Sequence, residues 1–371
     1  MIDDMLKYII NNILVYGFLV QLLAVIFSLY FVPTFRKLAL AKKFTDSPSA
    51  RKSHKTEVPV LGGVAIYLAA GFTILIAIYL FPSNIETSKF FLLGFGSMIL
   101  LFVGVLDDIV GLKPIYKLIF QLFVSILLIH NTPSYVTDMQ GLFGFSEISY
   151  IPSLFLSIFI YVVFINMLNL IDGIDGLASG ISVVAFLFFG YVAFLDGSYF
   201  NMLVSMAGLG CLVPFMYYNM FSCRKIFLGD SGSLVLGVIL GYLCLNVMIL
   251  SPCDPVLFNG NKIIVVMALF SYPLVDTLRV FVVRISRKRS PFSADKNHIH
   301  HHLLRLGFSH RKATLLVIIY TLFITCTSFL ITGININLLF ILLLLVSVFV
   351  ICLPSFLIKN EDGTFSFIKK G

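Results

Sequence analysis

Residues 337–357 read NLLFILLLLVSVFVICLPSFL and contain no charged side chain. A helix of about 20 such residues is long enough to cross the hydrocarbon core of a bilayer. The whole chain has the same character, with 59% hydrophobic and only 12% charged residues, whereas a soluble domain has about a quarter charged residues. A water-soluble core cannot bury so much apolar surface, so the composition predicts an all-α, polytopic membrane protein.

Apolar runs of spanning length recur along all 371 residues. The length criterion gives about eleven transmembrane helices. Neither an internal repeat nor a low-complexity linker separates them, so we expect a single integral-membrane domain over 1–371. The predicted spans are 13–32, 58–81, 89–106, 115–130, 151–170, 177–195, 200–218, 232–250, 261–283, 313–332 and 337–357.

The distribution of Lys and Arg predicts how these spans are oriented. If the N-terminus lies outside, then of the 26 basic residues only Lys7, Lys89 and Lys262 fall on the outer side. Because cytoplasmic loops are enriched in Lys and Arg, we expect the N-terminus outside and, with an odd number of spans, the C-terminus in the cytoplasm. This topology and anionic lipid account for the net charge of +8, so no nucleic-acid partner is expected.

Most Asp and His side chains fall on the same predicted inner side. Ionisable groups near a membrane are costly and mark a functional site by default. We therefore expect an active site built from cytoplasmic loops. The inner residues are Asp107, Asp108, Asp172, Asp175, Asp230, Asp276, Asp295, His54, His298, His300, His301, His302 and His310.

The sequence GVLDDIVGL (104–112) carries the adjacent carboxylates of Asp107 and Asp108. Neighbouring carboxylates repel each other, so each favours a nearby cation or proton. The alternative is that the pair caps the helix that begins near Pro114. This alternative is weaker because the pair ends one span and does not directly precede the next.

The sequence NLIDGIDGLA (169–178) carries three oxygen-bearing side chains at close spacing. In a helix, Asn169, Asp172 and Asp175 would lie on one face. Such a set suits a hard cation such as Mg²⁺, which prefers oxygen ligands and keeps waters and phosphates in its shell. The alternative is a tight turn with an Asp cap, which explains one aspartate and not the set.

The sequence KIFLGDSGS (225–233) is a Gly-rich turn that leads into the next span. Asp230 could cap that helix. It could equally hold a metal beside phosphates gathered at the helix start. This motif alone leaves both interpretations open.

The sequence DKNHIHHHL (295–303) follows a basic run, and a helix would place His298, His301 and His302 on one face. Imidazoles in so basic a loop fit contacts to phosphates. A zinc site is one alternative, although the glutamate of the zinc-protease pattern His-Glu-x-x-His is missing. A solvated basic loop is the other.

Lys52 and His54 lie in the first predicted inner loop, shortly before Gly62 and Gly63. Basic residues at a membrane surface usually serve topology alone. A histidine followed by a Gly-Gly entry into a span favours a contact to phosphate in addition.

Together these motifs resemble those of the polyprenyl-phosphate N-acetylhexosamine-1-phosphate transferases. The resemblance keeps the order and spacing of the family's motifs over about residues 46–307. The matching motifs are Asp107-Asp108-x-x-Gly-Leu, Asn169-x-x-Asp172-Gly-x-Asp175-Gly, Phe227-x-Gly-Asp230-x-Gly-Ser and Asp295-x-x-His298-x-His300-His301.

The resemblance implies catalytic roles for Asp107, Asp108 and Asp172, with Asp107 accepting a proton or positioning the nucleophile. It places Mg²⁺, or Mn²⁺ in its stead, on Asp230 and Asn169. Among the implied substrate contacts, Phe227 would stack on uracil and Asp175 would contact uracil or ribose. These implied contacts are Lys52, His54, Asp175, Asn219, Phe227, His298, His300 and His301.

The resemblance also implies the reaction. A HexNAc-1-phosphate, GlcNAc-1-phosphate above others, moves from a UDP-sugar to undecaprenyl phosphate and UMP leaves, which starts a cell-envelope polysaccharide. The implied location is the bacterial cytoplasmic (inner) membrane, multi-pass, with the lipid bilayer as a partner and the active site facing the cytoplasm. A homodimer is left open.

Two other functions remain as alternatives. His298 before the histidine run resembles the GlcNAc branch of the superfamily, but the triplet His300–His302 also resembles that of the phospho-MurNAc-pentapeptide transferases of peptidoglycan synthesis. A transporter is the alternative from another class. It would place ionisable residues near the bilayer midplane, whereas here they lie at the inner ends of the spans.

Overall fold

The computed structural model describes residues 12–46, 57–80, 86–132, 135–249, 261–288, 297–359 and 365–367, and most of them are helical. A π-helix follows α7 at Tyr217–Phe221, and a 3₁₀-helix follows α13 at Leu353–Phe356. The α-helices are α1 (Ile13–Ala41), α2 (Gly62–Leu80), α3 (Thr87–Val110), α4 (Pro114–Asn131), α5 (Tyr150–Ile171), α6 (Leu177–Asp196), α7 (Tyr199–Met216), α8 (Gly229–Ile249), α9 (Lys262–Leu269), α10 (Ser271–Ser286), α11 (Ile299–Arg305), α12 (His310–Leu330) and α13 (Ile336–Cys352).

Within the described ranges, 10 helical segments are long and apolar enough to cross a membrane, and α9 with α10 would make an eleventh span. The prediction of an all-α, multi-pass membrane protein with about eleven spans is therefore confirmed. The first helix continues to Ala41, beyond the predicted end at residue 32, because the apolar run passes without a break into the basic segment. The orientation of the spans stays a prediction.

The eleventh span is broken, which the hydropathy pattern does not predict. α9 and α10 are bent by 69° at Phe270. Pro273 lies in the first turn of α10 and has no N–H to continue the helical hydrogen bonds across the break.

Three short antiparallel strand pairs connect parts of this helical chain, and the sequence did not predict them. They are β1 (Thr45–Asp46) with β2 (Val58–Pro59), β3 (Asp138–Leu142) with β4 (Phe145–Glu147), and β5 (Leu357–Lys359) with β6 (Phe365–Phe367).

The chain divides into two compact units. The prediction of a single membrane domain over the whole length stays a prediction. The first unit is Met1–Thr137, Ser149–Asn169 and Ala178–Leu250, and the second is Asp138–Ile148, Leu170–Leu177 and Ser251–Gly371.

The first unit is packed around α8, the most buried of the spans. Glycines bring neighbouring helices into backbone contact with its first turn. A Cβ atom added to Gly63 in α2 would lie 2.1 Å from the amide nitrogen of Gly232, and one added to Gly104 in α3 would lie 2.4 Å from the Cα of Ser231. Since no side chain fits in these gaps, the start of α8 is fixed directly against the backbones of α2 and α3.

The second unit has an apolar core of its own, in which side chains from α9, α12 and α13 pack on the β3–β4 hairpin. Asn337 in α13 fastens the hairpin, because its side chain accepts a hydrogen bond from the Phe143 N–H and donates one to the Gly141 carbonyl. The buried core residues are Leu142, Ile263, Ile264, Ala268, Ile324, Leu339 and Leu343.

We predict that Gly104→Ala lowers the apparent unfolding temperature of the detergent-solubilised protein, because overpacking against the α8 backbone costs about 1–3 kcal/mol. Gly94→Ala is the matched control. It lies in the same helix, an added Cβ there meets no atom within 4 Å, and alanine favours helix more than glycine does. Equal shifts for the two variants in thermal unfolding would contradict the tight contact.

Candidate functional site

The first unit gathers three carboxylates and one ammonium at the ends of its helices. Asp107 and Asp108 lie in the last turn of α3, which confirms that the pair ends a span. Lys117 lies in the first turn of α4, and Asp230 lies in the first turn of α8. We call these four residues the acidic cluster.

Lys117 is shared between two members of the acidic cluster. Its Nζ lies 2.8 Å from Oδ2 of Asp107 and 2.9 Å from Oδ2 of Asp230. Asp107 also accepts a hydrogen bond of 2.6 Å from the Leu112 N–H, in the turn before α4. From the sequence, Lys117 is one of the basic residues on the predicted inner side, and no role in the site was predicted for it. The signal for this role is its position at the start of the helix that follows the Asp pair.

Asp108 caps α8 from a neighbouring helix. Its carboxylate accepts hydrogen bonds from the N–H groups of Asp230 and Ser231, at 2.8 and 3.1 Å. These are two of the donors that a helix start leaves unpaired, and a negative charge there is also favoured by the helix dipole. Gly229 allows the approach, because its φ is +73° and a Cβ would lie 2.5 Å from Oδ2 of Asp108.

The sequence left open whether Asp230 caps α8 or holds a metal. Asp108 supplies the cap in the structure. Asp230 lies within the first turn of α8, and its own carboxylate points to Lys117. One turn later, Ser233 accepts a hydrogen bond of 3.0 Å from Nδ2 of Asn169. The structure therefore brings Asn169 to α8 at Ser233, three residues after Asp230.

The acidic cluster fits a hard divalent cation. Asp107 and Asp230 already share one positive charge, and their oxygens are the ligands that Mg²⁺ prefers. In the part of the chain that the structure describes, no three His, Cys, Asp or Glu side chains are arranged to hold a metal ion by themselves. Mg²⁺ usually binds through one or two carboxylates plus waters and substrate phosphates, and does not need a complete set of protein ligands. The carboxylates of the acidic cluster therefore suit Mg²⁺.

The second unit contains the turn that carries Asp172 and Asp175. α5 ends at Ile171 and α6 begins at Leu177, so the helix that would have aligned these residues does not continue. Gly176, the last residue before α6, has a φ of +77°, a conformation that glycine adopts readily and other residues rarely do. The expectation that Asn169, Asp172 and Asp175 share one helical face is therefore wrong, and the tight turn is the conformation found.

Asp175 is fixed by the start of α12. Its Oδ2 lies 3.2 Å from Nδ1 of His310, and its carbonyl accepts a hydrogen bond of 2.8 Å from Oγ1 of Thr314. Asp175 is nearly buried, at 8% exposure. His310 was grouped with the inner histidines but not predicted as a site residue.

The histidine cluster, His298, His300 and His301, lies at the start of α11 in the second unit. The rings of His298 and His300 are stacked, with centroids 5.5 Å apart and planes within 7°. His301 follows, with its ring centroid 4.3 Å from that of His300. Gly173 in the aspartate turn makes room for His300, because an added Cβ would lie 2.4 Å from its Nε2.

His300 is kept neutral by its surroundings. Burial lowers its pKa well below the ordinary histidine range, and the neighbouring His301 lowers the pKa further. The pKa of His302 is also lowered, by burial and by the nearby Arg279 and Arg305. An imidazole of this kind can exchange hydrogen bonds with a substrate, but it does not bring a positive charge at neutral pH.

Asn219 and Phe227 lie at the two ends of one loop in the first unit. Asn219 is buried in the π-helix after α7, and its Nδ2 donates a hydrogen bond of 2.9 Å to the Ile226 carbonyl. The backbone of Phe227 pairs with the entry to α2, donating to the Pro59 carbonyl and accepting from the Gly62 N–H. The proposed nucleotide contacts stay predictions.

Three residues that the motifs single out lie outside the described residues. They are Lys52, His54 and Asp295.

The fold and the acidic cluster define a multi-pass membrane protein with a polar site at its helix ends. The profile of glycosyl transferase family 4 matches residues 90–248, a segment that includes Asp107, Asp108, Asn169 and Asp230. That segment is similar to this family, and the resemblance that the motifs predict is confirmed.

Several relatives are similar to this chain over most of its length. The undecaprenyl-phosphate alpha-N-acetylglucosaminyl 1-phosphate transferase of Escherichia coli K12 is 27% identical over 79% of this chain and 77% of its own length. The probable undecaprenyl-phosphate N-acetylglucosaminyl 1-phosphate transferase of Bacillus subtilis is 29% identical over 82% of this chain and 81% of its own length. The corresponding Yersinia pestis transferase is 28% identical over 79% of this chain and 78% of its own length.

We predict that stability falls as the pH decreases below about 6.5, the ordinary histidine pKa. Because the pKa of His300 is lowered in the folded state, the unfolded chain takes up a proton that the folded protein does not, which favours unfolding by up to about 1.4 kcal/mol per pH unit. Between pH 7.5 and 5.5, the unfolding temperature of His300→Gln should fall less than that of the wild type. The exposed His130→Gln should shift as wild type does; equal shifts for all three would refute the assignment.

Proposed function

We propose that this chain transfers a HexNAc-1-phosphate, GlcNAc-1-phosphate above others, from a UDP-sugar to undecaprenyl phosphate, with release of UMP. The observation that carries the proposal is the acidic cluster around Lys117, inside the segment that matches glycosyl transferase family 4. The names of the E. coli and B. subtilis relatives support the lipid acceptor and the GlcNAc-1-phosphate group.

The proposed reaction brings two anions together. An oxygen of the lipid phosphate attacks the β-phosphorus of the UDP-sugar, the bond from that phosphorus to the bridging oxygen breaks, and UMP leaves. Positive charge must screen both partners before they meet. Lys117 lies within 3 Å of both Asp107 and Asp230 and is already shared between them, so this proposal assigns the screening to the cofactor and to the basic residues that would contact the phosphates.

The carboxylates of the acidic cluster have separate roles in this proposal. Asp107 accepts a proton or positions the attacking phosphate, and its contacts with Leu112 and Lys117 hold it in place. Asp108 positions the start of α8 through the N–H groups of Asp230 and Ser231. The proposal also keeps Asp172, on the aspartate turn, as a catalytic carboxylate.

Mg²⁺, or Mn²⁺ in its place, is the cofactor in this proposal. When bound, it supplies a Lewis acid that offsets the charge of the diphosphate. Asp230 would hold it together with Asn169, which contacts α8 at Ser233, three residues after Asp230, and Asp107 would be the neighbouring carboxylate.

The remaining side chains would bind substrate. Phe227 would stack on uracil and Asp175 would contact uracil or ribose, with Asn219 as a further nucleotide contact. The phosphates and the sugar would be held by Lys52, His54, His298, His300 and His301. In this set His300 serves as a hydrogen-bonding partner rather than a cation, because it is neutral at physiological pH.

The site faces the cytoplasm in this proposal, where sugar nucleotides are available. The basic residues of the predicted inner segments support that orientation. A phospho-MurNAc-pentapeptide donor is the runner-up, and the names of the relatives favour the HexNAc donor.

The test is a competition between two labelled donors. Purified full-length protein, undecaprenyl phosphate and Mg²⁺ are mixed with UDP-GlcNAc and UDP-MurNAc-pentapeptide. We expect a lipid-linked GlcNAc product, UMP release and loss of both in excess EDTA. If the pentapeptide-bearing lipid forms faster, the assignment of the donor is wrong. If turnover is complete in EDTA, the assignment of the metal is wrong. If no UDP-HexNAc gives a lipid product, the proposed function is wrong.

We predict that Asp107→Asn and Asp230→Asn each lower kcat at least about 10²-fold, the low end for loss of an acid–base or key electrostatic group. Both side chains lie at helix ends, so the variants should still insert and fold. Glu86→Gln is the matched control, because Glu86 lies at the opposite end of α3 and pairs only with Lys89 among the contacts described. A well-folded Asp variant with the rate of the control would remove that residue from the mechanism.

A further inference from the structure

Asp276 is a fully buried carboxylate in the second unit that the proposed reaction does not use. It lies in α10 with 0% exposure. Three donors converge on it: Nδ1 of His298 at 2.9 Å from Oδ2, and the Ile299 N–H at 3.1 Å and Nη2 of Arg279 at 3.0 Å from Oδ1. A buried carboxylate is costly unless it is paired and hydrogen-bonded, so this arrangement is a built one.

The contacts of Asp276 hold the backbone on either side of His298. His298 is the N-cap residue of α11, with extended backbone at φ −61° and ψ 147°, but its own side chain makes no cap. Asp276 supplies the cap instead, through the first N–H of the helix at Ile299. On the other side, Arg279 joins Asp276 to the carbonyl of Asn297.

The same carboxylate determines how the ring of His298 is used. An ionised carboxylate accepts hydrogen bonds and cannot donate them, and the neighbouring Arg279 favours the ionised form. The hydrogen of the neutral His298 ring must therefore lie on Nδ1, which leaves Nε2 as the free nitrogen. Stacking on His300 fixes the plane of the ring as well.

We infer that Asp276 is a positioning residue of the histidine cluster, which holds His298 in one orientation and one tautomer so that Nε2 is offered as a hydrogen-bond acceptor to a hydroxyl group of the substrate, such as one on the sugar. The effect on the reaction rests on the proposed function. The tautomer does not, because it follows from the contacts within the second unit alone.

The tautomer can be measured without any substrate. In full-length protein labelled with ¹⁵N in its histidine rings, His298→Gln identifies the signals of His298. At a pH where this ring is neutral, we expect the wild type to carry the hydrogen on Nδ1, and Asp276→Asn to lose that preference. A neutral wild-type ring with the hydrogen on Nε2 overturns the inference.

The effect on the reaction is tested by a double-mutant cycle in kcat/KM with Asp276→Asn, His298→Gln and the pair combined. We expect Asp276→Asn to cost about 10–100-fold, as the loss of such orienting partners does at metal-bound histidines. The combined variant should be no worse than His298→Gln alone, since Asp276 acts through that ring. Losses that multiply would show an independent, structural effect and overturn the inference.

The control is Asp138→Asn, in the β3–β4 hairpin of the same unit. Among the described contacts, its side chain bonds the N–H of Gln140, so kcat/KM should stay unchanged. A wild-type protein without transferase activity would refute the proposed function, while the ring-nitrogen measurement would still decide the role of Asp276.

Discussion

The ammonium of Lys117 makes the acidic cluster possible. Three carboxylates at the ends of membrane helices repel each other and resist removal from water. Lys117 lies within 3 Å of both Asp107 and Asp230, and all three side chains are mostly covered. Asp108 does not contact Lys117 in the described contacts. Its carboxylate is instead stabilised by hydrogen bonds from the N–H groups at the start of α8. Each carboxylate of the cluster therefore has a partner that offsets its charge.

The glycines around α8 are the steric counterpart of this charge arrangement. Gly104 lets the backbone of α3 touch the first turn of α8, which brings the Asp108 carboxylate of α3 within reach of that turn, and Gly63 does the same for the backbone of α2. Gly229 then admits the Asp108 carboxylate in a conformation that other residues rarely adopt. In the second unit, Gly173 does the same for His300. Glycine therefore decides where the charged and imidazole groups can approach.

Much of the fold follows from the sequence, because lipid imposes long apolar helices; the spans and the Asp pair at the end of α3 were predicted. Contacts made across the chain were not. Lys117 had an ordinary place among the basic residues, and only its helix position brings it to Asp230. Likewise, nothing local links Asp276 to His298, 22 residues later. The helical alignment of Asp172 failed because the glycines of that motif favour a turn.

A double-mutant cycle in stability tests the central claim, that Lys117 holds two carboxylates which otherwise repel. Thermal unfolding in detergent with EDTA is compared for Lys117→Met, Asp230→Asn and the combined variant. The account predicts that the combined variant loses less than the sum of the two single losses, with a coupling of about 0.5–3 kcal/mol. The exposed Lys113→Met, in place of Lys117→Met, should show additive losses. Additive losses at Lys117 as well would contradict the account.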